Sequence, residues 1–324
     1  MTLELVARKY AVAISPTIQA LIDPEDPNDP IARQFLPDIA ELIESAREHF
    51  DPIGDAAHSP VPGIVHRHQD RVLFKAVSHC PVYCRFCFRR EMIGPGKPNA
   101  LSPEDFERAF AYIQGQPQIE EVILTGGDPF GLSVRRAGEI TRRLAAIAHV
   151  KFIRWHTRVP LVEPARVTDD FIAALLAPSI TTWVAVHANH AREFSPDAKA
   201  ALARLVDAGI PLVSQSVLLK GVNNDLECMT ALMRAFLANR IKPYYLHHPD
   251  LARGTSHFRV SIEEGLALMR GLRSTVSGLA QPTYVLDIPG GFGKVPLDSA
   301  NVEKTQTGHR IRDFAGRWHD YICS

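Results

Sequence analysis

The sequence has no surplus of either charge. Lys and Arg number 36, Asp and Glu number 36, and the formal net charge over 324 residues is zero. A protein drawn to nucleic acid or to an anionic membrane surface owes its long-range attraction to a basic excess, so neither partner is expected. Long apolar runs are lacking too: no window reaches the roughly 18 consecutive apolar residues of a membrane-spanning helix. The first 14 residues break their apolar character with Glu4, Arg8 and Lys9, which leaves no room for the apolar centre of a secretory signal. A cytoplasmic location is therefore expected. Low-complexity tracts do not occur. Cysteine is scarce, with five residues, and the odd count excludes a fully paired disulfide framework. Three of the five, Cys80, Cys84 and Cys87, fall within eight positions, while Cys228 and Cys323 stand alone.

The rest is the composition of an ordinary globular protein, 46% hydrophobic and 22% charged, long enough for one large domain or two small ones. The first seventy residues are rich in Pro and Asp and read as an irregular region with one helix over 38–50, where apolar positions recur at helical spacing. Beyond it the pattern is regular. Strands are expected at 72–77, 121–125, 151–156, 182–187, 211–219, 242–246 and 283–287. Amphipathic helices are expected at 103–114, 133–148, 168–177, 196–208, 226–239 and 261–276, several opening at a capping residue: Ser102, Ser133, Ser195, Asp225 and Ser261. Apolar strands alternating with helices predict right-handed βαβ units and a parallel sheet. Polar residues gather at the C-terminal end of nearly every strand: Ser78, the Gly126-Gly127-Asp128 turn, His156, His187, His247 and Asp287. A doubly wound sheet concentrates its site at one switch point, whereas a barrel uses every strand end, so a barrel is expected, or a partial one, since six or seven units are visible.

The cysteine trio follows the first of these strands with the spacing C-x3-C-x2-C. Three thiolates on one short loop can face an iron–sulfur cube and leave one iron free for a small molecule. The alternative, a structural zinc site, wants four ligands in spaced pairs, and the one nearby candidate, His79, is adjacent in sequence to Cys80. Near the other end, Pro289-Gly290-Gly291-Phe292-Gly293-Lys294 does not fit a phosphate-binding P-loop, because Ile288 stands where its first glycine would be and Val295 where its Ser or Thr would be. Two readings remain for it: an exposed glycine loop with a solvated lysine, or a lysine that reaches a buried aldehyde.

The cysteine loop, with Gly126-Gly127-Asp128 after the second strand, resembles the radical S-adenosylmethionine superfamily. The Pro-Gly-Gly-x-Gly-Lys segment resembles the pyridoxal-phosphate lysine of the lysine 2,3-aminomutase family within it. That likeness runs through Ile14-Ser15-Pro16, Pro27-Asn28-Asp29-Pro30-Ile31, Ser59-Pro60-Val61-Pro62-Gly63, Cys87-Phe88-Arg89-Arg90, His187-Ala188-Asn189-His190, Gln215-Ser216-Val217-Leu218-Leu219, Pro243-Tyr244-Tyr245 and Gly254-Thr255-Ser256-His257-Phe258-Arg259. The resemblance implies an α/β fold, a partial (β/α)6-type barrel at 71–288 with an N-terminal helical and irregular extension at 1–70 and a C-terminal segment at 289–324 carrying the lysine. It implies a 4Fe-4S cluster on Cys80, Cys84 and Cys87, S-adenosyl-L-methionine near Gly126, Gly127 and Asp128, and pyridoxal 5'-phosphate on Lys294. Arg67 and Arg71 match arginines near that cofactor's phosphate. His68 stands where the family usually has tyrosine, and His187 and Gln215 match positions lining the cofactor pocket. Arg89 matches the arginine for the substrate carboxylate.

Asp250 and Asp287 match the family pair that grips the distal ammonium of lysine. An ammonium entering a barrel loses its hydration, so the site must supply negative charge, and two facing carboxylates are relieved by a cation. Otherwise either residue is a surface turn or cap aspartate. The implied activity is that of an isomerase, L-lysine 2,3-aminomutase: a 5′-deoxyadenosyl radical takes hydrogen from C3, the α-amino group migrates, and β-lysine results. The same chemistry dedicated to β-lysine supply for elongation factor P modification, or acting on another amino acid, stays open, as does a non-catalytic iron–sulfur carrier or sensor. A flavodoxin or ferredoxin is the implied electron donor. Larger family members bind a structural zinc between subunits through cysteines. Here Asp225 stands at one such position and Cys323 alone lies in the tail, so no structural zinc is expected and a homodimer, if formed, uses another surface.

Overall fold

The computed structural model describes residues 2–322 apart from 95, 97–98, 299 and 314, so Cys323 lies outside the described residues. Nine strands form one sheet in sequence order: β1 (Ile64–His68), β2 (Arg71–Val77), β3 (Glu121–Gly126), β4 (Phe152–Thr157), β5 (Thr181–His187), β6 (Leu212–Val217), β7 (Ile241–His247), β8 (Thr283–Ile288) and β9 (Gly293–Pro296). Strands β2 to β8 are parallel, while β1 and β9 pair antiparallel at the two edges. Three short helices precede the sheet: α1 (Leu3–Lys9), α2 (Pro16–Gln19) and α3 (Pro30–Phe35). The crossovers carry α4 (Pro103–Gln114), α5 (Val134–Ala145), α6 (Val159–Val162), α7 (Asp169–Ala174), α8 (Pro196–Asp207), α9 (Leu226–Ala238) and α10 (Ile262–Thr275). Six crossovers join the seven parallel strands, which is an α/β partial barrel of (β/α)6 type. A small separate sheet, β10 (Val302–Lys304), β11 (His309–Arg312) and β12 (Trp318–Tyr321), closes the described chain. Among the described residues no helix is long and apolar enough to cross a membrane.

The helices form where caps and apolar spacing agree. The side chains of Ser102, Ser133, Ser195, Asp225 and Ser261 each accept a backbone N–H of the first helical turn, and Ser261 with Glu264 completes a capping box. Alternation does the rest on the strands. On β2, Val72 and Phe74 pack outward on the helix layer, where Phe74 meets Phe106 and Phe110 of α4. The alternate residues Arg71, Leu73 and Lys75 are therefore left for the barrel interior.

No α-helix covers 38–50. Asp38 caps a single 3-10 turn, Ile39–Leu42, and the chain then runs irregularly to a bridge between His49 and Ala252. The recurrence there reflects anchoring to the barrel rather than a helical face. Glu41 is fully buried between Arg85 and Arg90, and Glu48 accepts from Gly254 N (3.0 Å) and Arg259 (2.5 Å). The sheet itself reaches past 71–288 on both sides, taking β1 from the residues before and β9 from those after. Its two edges approach each other through segment 53–58. Arg67 of β1 donates to Ile53 O (2.7 Å), His58 Nε2 lies 3.0 Å from Gly291 O, and a Cβ on Gly54 would come within 2.6 Å of Gly291 N.

Candidate active site

The cysteine loop leaves β2 and is held from outside by the N-terminal extension. Arg85 N donates to Gln34 O (2.8 Å), Tyr83 N donates to Ala13 O (3.0 Å), and the Arg85 guanidinium reaches Glu41 and Ala11 O. The thiols of Cys80, Cys84 and Cys87 are free. Burial, then Asp128 and the other two cysteines, pushes the Cys80 thiol well above its ordinary range, and burial with Cys84 pushes Cys87 up to about 11. Such mutual repulsion among buried sulfurs is relieved by metal cations, and a set of three thiolates fits an iron–sulfur cluster with one iron left open. Arg158 Nη1 donates to Cys84 Sγ (2.9 Å), and that guanidinium is itself fixed by Glu193 (2.7 Å) and Gln34 (2.5 Å).

The glycine turn at the end of β3 packs directly on this loop. A Cβ on Gly127 would come within 2.2 Å of His79 O, so only glycine permits the contact, and Asp128 N donates to that same oxygen (3.0 Å). The Asp128 carboxylate is spent on Thr157 Oγ1, Arg158 N and Phe130 N, which locks the β3 and β4 ends together and leaves backbone as the turn's offering to a ligand.

Across the barrel, Lys294 on β9 stands opposite Asp287 on β8 in the antiparallel register. Its ammonium donates to Asp287 Oδ2, lies 3.1 Å from His247 Nδ1 and sits 5.6 Å from the centre of the Tyr245 ring. Asp250 follows β7 and faces the same charges. Burial opposes ionisation of Asp287, yet Lys294 and His247 outweigh it and hold its carboxyl well below the usual range, whereas burial and the Asp287 charge push Asp250 up to about 8. The pocket thus contains two carboxyls that cannot both ionise without a cation between them.

A second, cationic pole surrounds Asp55, whose side chain is 3% exposed. Arg89 reaches Asp55 Oδ2 at 3.1 Å and Thr125 Oγ1 at 3.3 Å, Arg67 reaches Oδ1 at 3.3 Å, and Lys75 stands 3.9 Å from Oδ2. Three imidazoles line the same interior: His247 beside Lys294 and Asp287, His156 within reach of the Arg89 and Lys294 charges, and His187 beside Phe86. Burial, first of all, lowers the pKa of each, and their Nε2 atoms are buried without a hydrogen-bond partner among the described residues. Orphaned nitrogens of this kind want a ligand or water. His187 stacks on Phe86 of the cysteine loop at 5.6 Å, and Gln215 is its register partner on β6. Burial with Arg71 and Arg67 lowers His68 to about 4.

The fold therefore gathers Cys80, Cys84, Cys87, Gly126, Gly127, Asp128, His187, Gln215, Arg67, Arg89, Asp250, Asp287 and Lys294 about the barrel interior and its C-terminal mouth. Arg71 opens β2 on the same face, pairs with Asp70 and is 36% exposed, and its charge acts on His68 and Tyr245. Sequence reasoning did not single out Asp55, Lys75 or Arg158 as site residues, nor assign roles to His156 and His247. Lys75 alone carried a signal, a charge inside the apolar run Val72-Leu73-Phe74-Lys75-Ala76-Val77.

A family model described as the Radical SAM superfamily matches residues 76–229. A putative L-lysine 2,3-aminomutase from Aquifex aeolicus is 39% identical over 96% of this chain and 84% of its own length. An L-lysine 2,3-aminomutase from Acetoanaerobium sticklandii is 40% identical over 94% of this chain and 73% of its own. A glutamate 2,3-aminomutase from Clostridioides difficile is 37% identical over 90% and 68%.

Proposed function

The chain belongs to the lysine 2,3-aminomutase family of radical SAM enzymes, and on that premise we propose that its substrate is L-lysine, whose α-amino group it moves to C3 to give β-lysine. Family likeness does not choose between lysine and glutamate, since relatives of both names are of similar identity. The observation that carries the choice is the Asp250–Asp287 pair. Asp287 already holds one ammonium, that of Lys294, and Asp250 is pushed up to about 8 by burial and by Asp287. A second ammonium relieves this pair, while the side-chain carboxylate of glutamate would add a further negative charge.

Cys80, Cys84 and Cys87 would hold the cluster, the backbone at Gly126 and Gly127 would border S-adenosylmethionine, and Lys294 with Arg67 and Arg71 would hold pyridoxal phosphate. When bound, these groups supply a carbon radical and an electron sink for the migrating nitrogen. The chain's own work is to bind and orient. Arg89, fixed by Asp55 and Thr125, presents its guanidinium to the carboxylate end of the substrate, as a planar fork suits. Asp250 and Asp287 take the far ammonium, so the substrate is stretched between poles and C3 is placed by both ends at once. The neutral imidazoles of His156 and His187 line the middle without adding charge.

The test is an anaerobic assay of the reconstituted protein on lysine, glutamate and norleucine. Lysine should be turned over, glutamate should not, and norleucine, uncharged at its end, should be poor. Asp287→Ala removes one partner of an ion pair worth ~3–5 kcal/mol when buried, which lowers kcat/KM for lysine by about two to four decades with iron content unchanged. Equal turnover of norleucine and lysine, or full activity in both Asp250→Ala and Asp287→Ala, withdraws the assignment.

A further inference from the structure

Lys75 has no part in the reading above, yet it lies inside the site. It projects from β2 into the barrel at an alternate position, beside Gly126, where an added Cβ would come within 3.0 Å of the Lys75 Cβ. Its side chain is 24% exposed, and its ammonium approaches Asp55 Oδ2 at 3.9 Å. Arg89 reaches that same oxygen at 3.1 Å. One carboxylate oxygen thus already shows that Lys75 and Arg89 can converge on a single anion.

Asp55 does not need the third cation. Arg67 and Arg89 already pair with it. The other acid that Lys75 senses, Asp51, is engaged by the backbone N–H groups of Asp55 (3.0 Å) and Ala56 (2.8 Å). With Asp51 so committed, Arg89 and Lys75 share the single Asp55 Oδ2 even where Arg67 turns to the cofactor's phosphate, and the pole stays short of an anion. An enclosed cation without its own anion is costly, and burial followed by the Arg89 charge lowers the pKa of Lys75 from that of a free lysine. The imbalance is removed by an anion arriving at this pole.

We propose that Lys75 is a specificity-determining residue that, together with Arg89, forms a two-cation subsite for the α-carboxylate of the substrate. The inference rests on the reading of Arg89 as the carboxylate-binding arginine. It favours free α-amino acids over amides and simple diamines, which bring no anion to the pole and bind through their ammonium groups alone. Lysine then lies between a paired cation site at one end and a paired anion site at the other.

The test is calorimetric binding to the protein loaded with cluster, S-adenosylmethionine and pyridoxal phosphate, without reductant so that no turnover occurs. The probes are L-lysine and 1,5-diaminopentane, which is lysine without its carboxylate. A hydrogen-bonded contact to a charged group corresponds to about 10- to 100-fold in affinity. The Lys75→Met variant should lose about that much for lysine and essentially nothing for the diamine. Lys75→Arg should restore lysine binding. Lys75→Gln, read in the same way, serves if the methionine variant proves unstable, with iron content and Tm as the check on folding. If the variants lose affinity for both probes alike, or for neither, Lys75 only neutralises Asp55 and the inference is overturned while the lysine reading stands. If the native protein binds neither probe, the lysine reading itself fails and the inference falls with it.

Discussion

Asp250 and Asp287 are chemically identical side chains pushed in opposite directions by one pocket. Burial and Asp287 raise Asp250 to about 8, so at pH 7 the ligand-free protein holds a proton there, while Asp287 stays ionised beside Lys294. An arriving ammonium favours the ionised form of both. Lysine binding at pH 7 should therefore release about one proton, and norleucine should release none; calorimetry in buffers of differing ionisation enthalpy measures the difference. The sign for stability follows from the same shift. A carboxyl whose folded pKa exceeds its unfolded value lets the native state bind the extra proton, so its contribution is lost as pH rises from the ordinary carboxylate range towards 8. The Tm advantage of Asp250→Asn over the native protein should accordingly grow from pH 5 to pH 8, and a flat difference would refute the shift. The aspartate pair was legible in sequence through family motifs. Asp55 was not, because its meaning comes from Arg67, Arg89 and Lys75, all distant in the chain, and a single buried aspartate carries no pattern of its own.

Between elements, the closest fit is that of the β3 turn on the cysteine loop. A methyl group on Gly127 would meet backbone, His79 O at 2.2 Å, and backbone cannot rotate away as a side chain can. Gly127→Ala should displace the loop and lower iron loading after anaerobic reconstitution, whereas Gly278→Ala, with nothing within 4 Å of its added Cβ, should load as the native protein does. Equal iron in both would mean that the loop yields without cost. The elements most legible in sequence were those with local signals at both ends: the seven parallel strands are apolar runs, and their helices open on side-chain caps. The edge strands were not legible. β1, Ile64-Val65-His66-Arg67-His68, is mostly polar, with Arg67 turned to Asp55 and His66 to Tyr112 of α4, and β9 looks like loop because Gly293 and Pro296 bound it. The expected helix at 38–50 was a pattern of apolar spacing whose acids, Glu41 and Glu48, are committed to arginines of the barrel.

Across the whole molecule, the zero net charge conceals a division of labour. The extension supplies carboxylates, and the barrel supplies guanidinium groups to meet them: Asp29 with Arg192, Glu41 with Arg85 and Arg90, Glu48 with Arg259, and Asp55 with Arg89. The extension is thus a buried counter-charge to the cysteine loop rather than an appendage. Glu41→Ala strands two buried arginines and should cost ~3–5 kcal/mol of stability, read from denaturant unfolding of the cluster-free protein; a loss within the ordinary surface range would show that water replaces the carboxylate. The seam between the sheet's edges has a different consequence. Parallel strands β2 to β8 are joined by hydrogen-bonded ladders, but among the described residues no ladder joins β1 to β9, and segment 53–58 bridges them by isolated contacts such as His58 with Gly291. Opening there breaks few bonds. Amide hydrogens of 53–58 and 289–293 should exchange with deuterium well before those of β4 to β6, and because Lys294 rides on the strand beside that seam, the pace at which the aldehyde cofactor is taken up should follow the exchange rate and not the cofactor concentration once it is in excess.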